Sequence, residues 1–116
     1  MVYSLDEKHK LDLLFSAFGD YISKHTYFDI VWSDKLGYLR IVPDEREDVV
    51  MRIENFEAAA TMLFWVFYAD CEEISPNSPD VSSVRDRICP YLTRLPEPER
   101  AFCEELLQKT IRQWNS

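Results

Sequence analysis

Hydrophobic residues in the first part of the chain recur with the period of an α-helix. The apolar residues at this spacing are Leu11, Leu14, Phe15, Phe18 and Ile22. Ser4 and Glu7 form an S-x-x-E capping box, in which the serine caps the helix and the glutamate reaches back to the serine amide. The pattern predicts one amphipathic helix over residues 5–25. Gly19 lies inside it, where glycine costs about 1 kcal/mol relative to alanine, and this favours a close approach of another backbone segment.

The stretch YFDIVWSDKLGYLRIV, residues 27–42, alternates with the period of a β-strand on both sides of a turn. A four-residue turn from Asp34 to Gly37 would pair Trp32 with Leu39 and make a β-hairpin. The charged segment PDERED follows, and then VVMRI, residues 49–53, either forms a third strand or extends the next helix. The pattern favours a three-stranded antiparallel meander.

This register divides the predicted sheet into two faces. The core-facing residues would be Phe28, Ile30, Trp32, Leu39, Ile41, Val49, Met51 and Ile53. The opposite face would carry Asp29, Val31, Tyr38, Arg40, Val42, Val50 and Arg52. Arg40 would then lie directly opposite Arg52, and the two would repel each other unless Asp29 or an acidic group of a partner lay between them.

Tyrosine, arginine and branched apolar residues on one face are typical of interface hot spots. The sequence therefore predicts that this face of the sheet binds a partner protein. The residues predicted to bind the partner are Asp29, Tyr38, Arg40 and Arg52. The alternative is an ordinary sheet face, either solvated or covered by a helix.

Residues 58–73, AAATMLFWVFYADCEE, would be apolar on every side of a helix. A membrane-spanning helix needs about 20 apolar residues, and the uncharged run here ends after 12, at Ala69. We therefore expect no crossing of a bilayer. A helix that is apolar all round is buried on most sides, which predicts a central core helix with Trp65 largely buried. The alternatives are that part of this helix is a dimer or partner surface, or that it lines a ligand pocket.

Prolines divide the remainder of the chain. SPNSP, residues 75–79, predicts a loop. A helical stripe follows, and Pro90 should kink or end that helix near Cys89. PEPE, residues 96–99, predicts the start of the last helix. The element order is α-β-β-β-α-α-α, which predicts a single α+β domain over residues 1–116: a small three-stranded antiparallel meander packed by about four helices.

The charge of the chain is −8 and unevenly distributed. Nucleic-acid binding draws on the neutralisation of phosphates by basic residues, so direct binding of DNA or RNA is not expected. Residues 54–77 contain five carboxylates and no Lys or Arg. These predicted acidic-surface residues are Glu54, Glu57, Asp70, Glu72 and Glu73. An acidic surface suits a basic partner, and the alternative is a solvated face that keeps the protein soluble.

The sequence offers little that could support a cofactor or a reaction. Its two glycines are too few for a phosphate-binding loop. Its three cysteines show no paired spacing, and no signal peptide is evident, which favours the cytoplasm. Acidic neighbours oppose a reactive thiolate at Cys71, and Cys89 and Cys103 fall on apolar stripes, as small core residues do. We therefore expect no metal, no cofactor and no enzymatic activity.

These observations favour a small, acidic, non-catalytic domain that binds another protein through the sheet face or the C-terminal helices. Three alternatives stay open. The acidic region could act as an inhibitor that occupies the basic groove of a nucleic-acid-binding protein. The protein could be a small enzyme whose catalytic residues are scattered along the chain. It could also associate with itself, as a homodimer.

Overall fold

The computed structural model describes residues 2–74 and 80–115, and it describes only the backbone of residues 72–74. The elements are α1 (Leu5–Ala17), α2 (Gly19–His25), β1 (Asp29–Ser33), β2 (Gly37–Val42), β3 (Val49–Arg52), α3 (Phe56–Ile74), α4 (Val81–Leu92) and α5 (Glu97–Trp114). The strands form an antiparallel sheet in the order β1-β2-β3. The predicted α+β class and the meander are confirmed, and VVMR is a strand. The loop predicted at 75–79 lies outside the described residues.

The chain divides into two compact units, Met1–Phe56 and Glu57–Ser116. Unit 1 contains α1, α2 and the sheet, and unit 2 contains α4, α5 and all of α3 beyond its first residue. Each unit has buried apolar side chains. Those fully buried in unit 1 include Leu11, Leu14, Phe18, Tyr21 and Phe28, and those in unit 2 include Leu63, Phe64, Phe67, Val84 and Ile88. The prediction of one domain stays a prediction.

The helix predicted over residues 5–25 is two helices. At Phe18 the backbone leaves the helical region, with φ −97° and ψ 4°, and its side chain is fully buried. Both helices bury apolar side chains, so the predicted apolar residues lie in the core on both sides of the break at Phe18. The close approach predicted at Gly19 is wrong, because a Cβ atom built there would meet nothing within 4 Å.

The capping box at the start of α1 is half formed. Ser4 Oγ accepts a hydrogen bond from the Glu7 amide at 3.0 Å, as predicted. The Glu7 carboxylate instead accepts from the amide of Phe56, the first residue of α3. A carboxylate is favoured at a helix N-terminus, where amides lack partners within the helix, and Glu7 therefore supplies a partner for the Phe56 amide within unit 1.

Tyr3 forms hydrogen bonds at one end of the sheet of unit 1. Its hydroxyl donates a hydrogen bond to the Ile53 carbonyl and accepts one from the Tyr38 amide at 3.1 Å. The tyrosine side chain is buried and lies against Gly37, whose φ of +83° belongs to the left-handed region. Tyr3 thus joins the end of β3 to the start of β2, beyond the last register pair.

Helix α3 is buried on one side only. Its buried residues are Phe56, Ala59, Ala60, Leu63, Phe64, Phe67 and Cys71, which form one helical stripe. Trp65 is 40% exposed, so the prediction that it is largely buried is wrong. Its ring packs edge-on against Tyr68 and Trp114, with centroids 5.7 and 5.9 Å away. This aromatic cluster holds the last turn of α5 against α3.

The other helices of unit 2 begin and end at identifiable signals. Asp80 caps α4 by accepting a hydrogen bond from the Ser82 amide at 3.1 Å. The helix passes through Pro90 to Leu92, so it does not end near Cys89, and the alternative of a kink there stays a prediction. Pro90 lies in the last turn, where it removes the hydrogen bond that an amide at this position would donate to the carbonyl of Asp86, and the helix ends two residues later. Helix α5 begins in PEPE, as predicted.

Within the described residues, no helix is long and apolar enough to span a membrane.

Candidate functional site

The register of the hairpin differs from the predicted one by one residue. Trp32 pairs with Tyr38, and Ser33 pairs with Gly37, so the turn contains three residues instead of four. Successive side chains of a strand point to opposite faces, and a shift of one residue therefore turns β2 over relative to its neighbours. The predicted pair of arginines is wrong: Arg40 pairs with Met51, and Arg52 pairs with Leu39.

The four residues predicted to bind a partner consequently lie on two different faces. Tyr38 and Arg40 share a face with Trp32, and Tyr38 on this face contacts Asp12 and Phe15 of α1, so we call it the covered face. Its edge on β3 is not covered, since Val49 and Met51 there are 48% and 51% exposed. Asp29 and Arg52 lie on the other side of the sheet, which we call the open face. The structure does not bring the four residues together.

On the covered face, Tyr38 and Arg40 each contact another side chain of unit 1, and the Nε of Arg40 is buried without a hydrogen-bond partner among the described residues. The Tyr38 hydroxyl donates to Asp12 of α1, and its ring lies 4.7 Å from that of Phe15. The Arg40 guanidinium lies 4.4 Å from the ring centre of Phe28, a cation–π contact. Tyr38 therefore connects the sheet to α1, and both side chains make their contacts within unit 1.

The Tyr38–Asp12 hydrogen bond shifts the acidity of both groups. Burial raises the pKa of Tyr38, and the hydrogen bond to Asp12 raises it further. Burial alone would raise the pKa of Asp12, but the hydrogen bonds from Tyr38 and Lys8 outweigh it and hold that pKa below its usual value. The ionised carboxylate is therefore favoured by the folded state.

We expect replacement of Asp12 by asparagine to make unit 1 less sensitive to acid. Because the pKa of Asp12 is lowered in the folded state, its carboxylate stabilises the fold above the ordinary value of 3.8, and this contribution is lost as the pH falls through the folded-state pKa. Melting temperatures measured from about pH 7 to about pH 2 should show Asp12→Asn below the wild type at neutral pH and converging with it in acid. Parallel curves would contradict this.

The open face is formed by two rows of three residues, one from each strand. The first row is Asp29, Ile41 and Val50, and the second is Val31, Leu39 and Arg52. Val31 is 38% exposed and Val50 is 53% exposed, while the two residues of the central strand are half-buried. The face is therefore an apolar strip with an exposed acid at one corner and an exposed base at the diagonally opposite corner.

Neither corner charge is neutralised locally. Within residues 2–74 and 80–115, neither Asp29 nor Arg52 forms an ion pair. The two residues lie in different rows and on the two outer strands. Strands are about 4.8 Å apart and the two rows are about 7 Å apart, so Asp29 and Arg52 are separated by the full diagonal of the sheet face.

The predicted acidic surface is only partly available. Glu54 and Glu57 are exposed. Asp70 is engaged in an ion pair, with its Oδ2 2.8 Å from Nη2 of Arg87. The side chains of Glu72 and Glu73 lie outside the described residues. The structure therefore shows no continuous acidic surface among the described members of this group.

Arg87 also contacts a cysteine, which sequence reasoning missed. Its Nη1 donates to Sγ of Cys71 at 3.2 Å, so the neighbour of this buried thiol is a cation as well as the predicted acids. Sixteen residues separate the two positions, and no local pattern signals their contact. Cys103 is buried as predicted, with its pKa raised to about 12 by burial and by Glu99 and Glu104. Cys89 is exposed, against prediction.

Metal-ligand geometry is absent from the described part of the chain: no three His, Cys, Asp or Glu side chains come close enough together there to hold a metal ion. His25 contacts the ring of Tyr21, with centroids 5.4 Å apart. Comparison with known proteins adds no relative, since no protein-family model, curated protein or solved structure matches the chain. Function is therefore inferred from the surfaces of the two units.

Proposed function

We propose that this protein is a non-catalytic interaction domain that pairs with a second copy of itself through the open face of the sheet. The observation that carries the proposal is the open face itself. It is an apolar strip, with Val31 38% and Val50 53% exposed, between Asp29 and Arg52, neither of which forms an ion pair within the described residues. Sheets commonly pack face to face about 10 Å apart, with inner side chains interdigitated.

The diagonal placement of the two charges makes the open face complementary to itself. In a twofold dimer, each contact between two positions occurs twice, once in each direction. A twofold axis that lies between the two faces, perpendicular to the line from Asp29 to Arg52, exchanges those positions. Asp29 of one copy then meets Arg52 of the other, and the apolar residues meet at the centre.

The size of the open face sets the expected strength of the dimer. Three strands span about 10 Å and two rows of side chains add about 7 Å. The area of a face with these dimensions is well below the roughly 800 Å² per partner of a standard protein interface. We therefore expect a weak dimer that dissociates on dilution. The paired charges then contribute mainly to the choice of orientation and partner.

Sedimentation velocity over a range of protein concentrations tests the proposal. Val50→Glu should abolish the dimer, because it places a carboxylate among the apolar residues of the open face. Met51→Glu is the matched control: Met51 lies next in the same strand, is 51% exposed and points to the other face. Equal effects of the two substitutions, or a wild-type protein that stays monomeric at millimolar concentration, would overturn the proposal.

Charge reversal tests the orientation separately. Asp29→Arg and Arg52→Asp, each alone, should weaken the dimer about tenfold or more, because each places like charges opposite one another. The double substitution restores opposite charges at both corners of a twofold dimer, so it should recover most of the wild-type affinity. A double variant that is weaker than both single variants would contradict the twofold arrangement.

A further inference from the structure

Unit 2 contains a groove between consecutive helices α4 and α5. Its volume is about 490 Å³. The floor is apolar, with Leu92 and Leu107 almost fully buried and Ile111 half-buried beside them. Cys89 lines the groove and is exposed. The groove lies within one unit, and its residues are separate from those of the open face.

The charges of the groove are segregated along its length. Helices α4 and α5 are joined by a short connection, and Arg85 of the first half of α4 lines the groove together with Arg112 of the last turn of α5. Two helices that meet in this way run antiparallel, so the two arginines share one end. Glu104 lies about 12 Å from Arg112 along α5, at a rise of about 1.5 Å per residue, toward the other end.

The arginine end of the groove has unused positive charge. Among the described residues, neither Arg85 nor Arg112 forms an ion pair or a hydrogen bond. Both are exposed, in a chain whose net charge is −8. Two guanidinium groups that have no ion pair within the described part of the chain, beside an apolar floor, favour a ligand that combines an apolar surface with a carboxylate.

We infer that this groove binds an amphipathic helix of another protein, with the carboxyl end of that helix at Arg85 and Arg112. The groove runs for about two helical turns, which suits apolar side chains at positions i, i+3 or i+4 and i+7 of a docked helix. The negative end of the helix dipole then lies at the arginines, and the positive end lies at Glu104. Acidic residues in the last turn of the partner helix complete the match.

A designed peptide probes the groove directly. The probe is a fluorescein-labelled 12-residue helical peptide with leucines at i, i+3, i+4 and i+7 and two glutamates in its last turn, and the comparison peptide carries two lysines there instead. Fluorescence polarisation should show saturable binding of the glutamate peptide and at least about tenfold weaker binding of the lysine peptide. Equal binding of both, or no binding at millimolar concentration, would overturn the inference.

Variants of α5 locate the binding site. Arg112→Glu should weaken binding of the glutamate peptide about tenfold or more. Lys109→Glu makes the same change of charge on an exposed residue of the same helix that does not line the groove, and it should change the affinity less than about twofold. Equal losses would show a general charge effect and overturn the assigned site. Sedimentation of Arg112→Glu should be that of the wild type, since this site is independent of the open face.

Cys89 provides a second readout that does not depend on affinity. It is exposed in the groove, whereas Cys71 and Cys103 are buried, so iodoacetamide should modify Cys89 first. Saturating glutamate peptide should slow that modification several-fold. Decanoate tests a small carboxylate as the occupant: if decanoate protects Cys89 and the peptide does not, the groove is a small-molecule site and the inference of a docked helix is wrong.

Discussion

Replacement of Gly37 by alanine should lower the free energy of unfolding by about 3 kcal/mol. Gly37 has a φ of +83°, where a side chain costs about 1–2 kcal/mol. A Cβ atom there would also lie 2.7 Å from three atoms of the Tyr3 side chain. Displacement of Tyr3 sacrifices its hydrogen bonds to Ile53 and Tyr38, each worth about 1 kcal/mol. Urea unfolding followed by circular dichroism measures the loss.

The other glycine of the chain supplies the matched control. Gly19 is the first residue of α2, its φ is not positive, and a Cβ atom there would meet nothing within 4 Å. Gly19→Ala should therefore leave stability unchanged or raise it by up to about 1 kcal/mol, because alanine favours the helix. A Gly37→Ala protein as stable as Gly19→Ala would show that the turn and Tyr3 do not constrain position 37.

Phe64→Ala should destabilise the protein by about 3–5 kcal/mol, the usual cost of removing a fully buried phenylalanine ring. The adjacent Trp65 is a larger residue but is 40% exposed, and its contacts are edge-on to Tyr68 and Trp114. Trp65→Ala should therefore cost less, about 1–2 kcal/mol. Chemical denaturation of the two variants under identical conditions measures both values.

The comparison of Phe64→Ala with Trp65→Ala distinguishes a helix that is buried on one side from a helix that is buried on all sides. In a helix buried on all sides, removal of the tryptophan would cost at least as much as removal of the phenylalanine, since more apolar area is lost. A larger loss for Trp65→Ala would therefore contradict the exposed position of Trp65. Near-ultraviolet circular dichroism of Trp65→Ala should also change, because its ring is part of the cluster with Trp114.

The elements of unit 1 could be predicted because their signals are local. The alternation of apolar residues on both sides of Gly37 indicates two strands, and the meander follows from short connections. The register could not be predicted in the same way, since it depends on turn length. The three-residue turn puts Gly37 opposite Ser33, and only the contact with Tyr3, 34 residues earlier in the chain, shows why glycine stands there.

Because the predicted register is wrong by one residue, two of the four predicted site residues, Tyr38 and Arg40, lie on the other face of the sheet. The sequence pattern correctly predicts that Asp29 and Arg52 share a face with Val31 and Val50, because β1 and β3 have the predicted orientation relative to each other. The central strand did not: Leu39 and Ile41 replace the expected Tyr38 and Arg40 on that face. This exchange converts a face rich in arginine into an apolar strip with single charges at its corners.

In unit 2, the apolar composition of α3 predicts that the helix packs in a core, but its periodicity does not indicate which side is buried. When nearly every residue is apolar, the pattern does not show which side faces the core, and Trp65 lies on the exposed side. The groove between α4 and α5 likewise has no local signal, since Arg85 and Arg112 stand 27 positions apart and meet only because the helices reverse direction.

The contact between Tyr3 and Gly37 also limits how this sequence can change during evolution. Any side chain at position 37 requires that the ring at position 3 be lost or moved first, whereas a smaller residue at position 3 leaves glycine at 37 undisturbed. Substitutions at the two positions are therefore ordered in time. In homologues that diverged from this chain, position 3 should vary before position 37, and a residue other than glycine at 37 should occur only where the tyrosine is already gone.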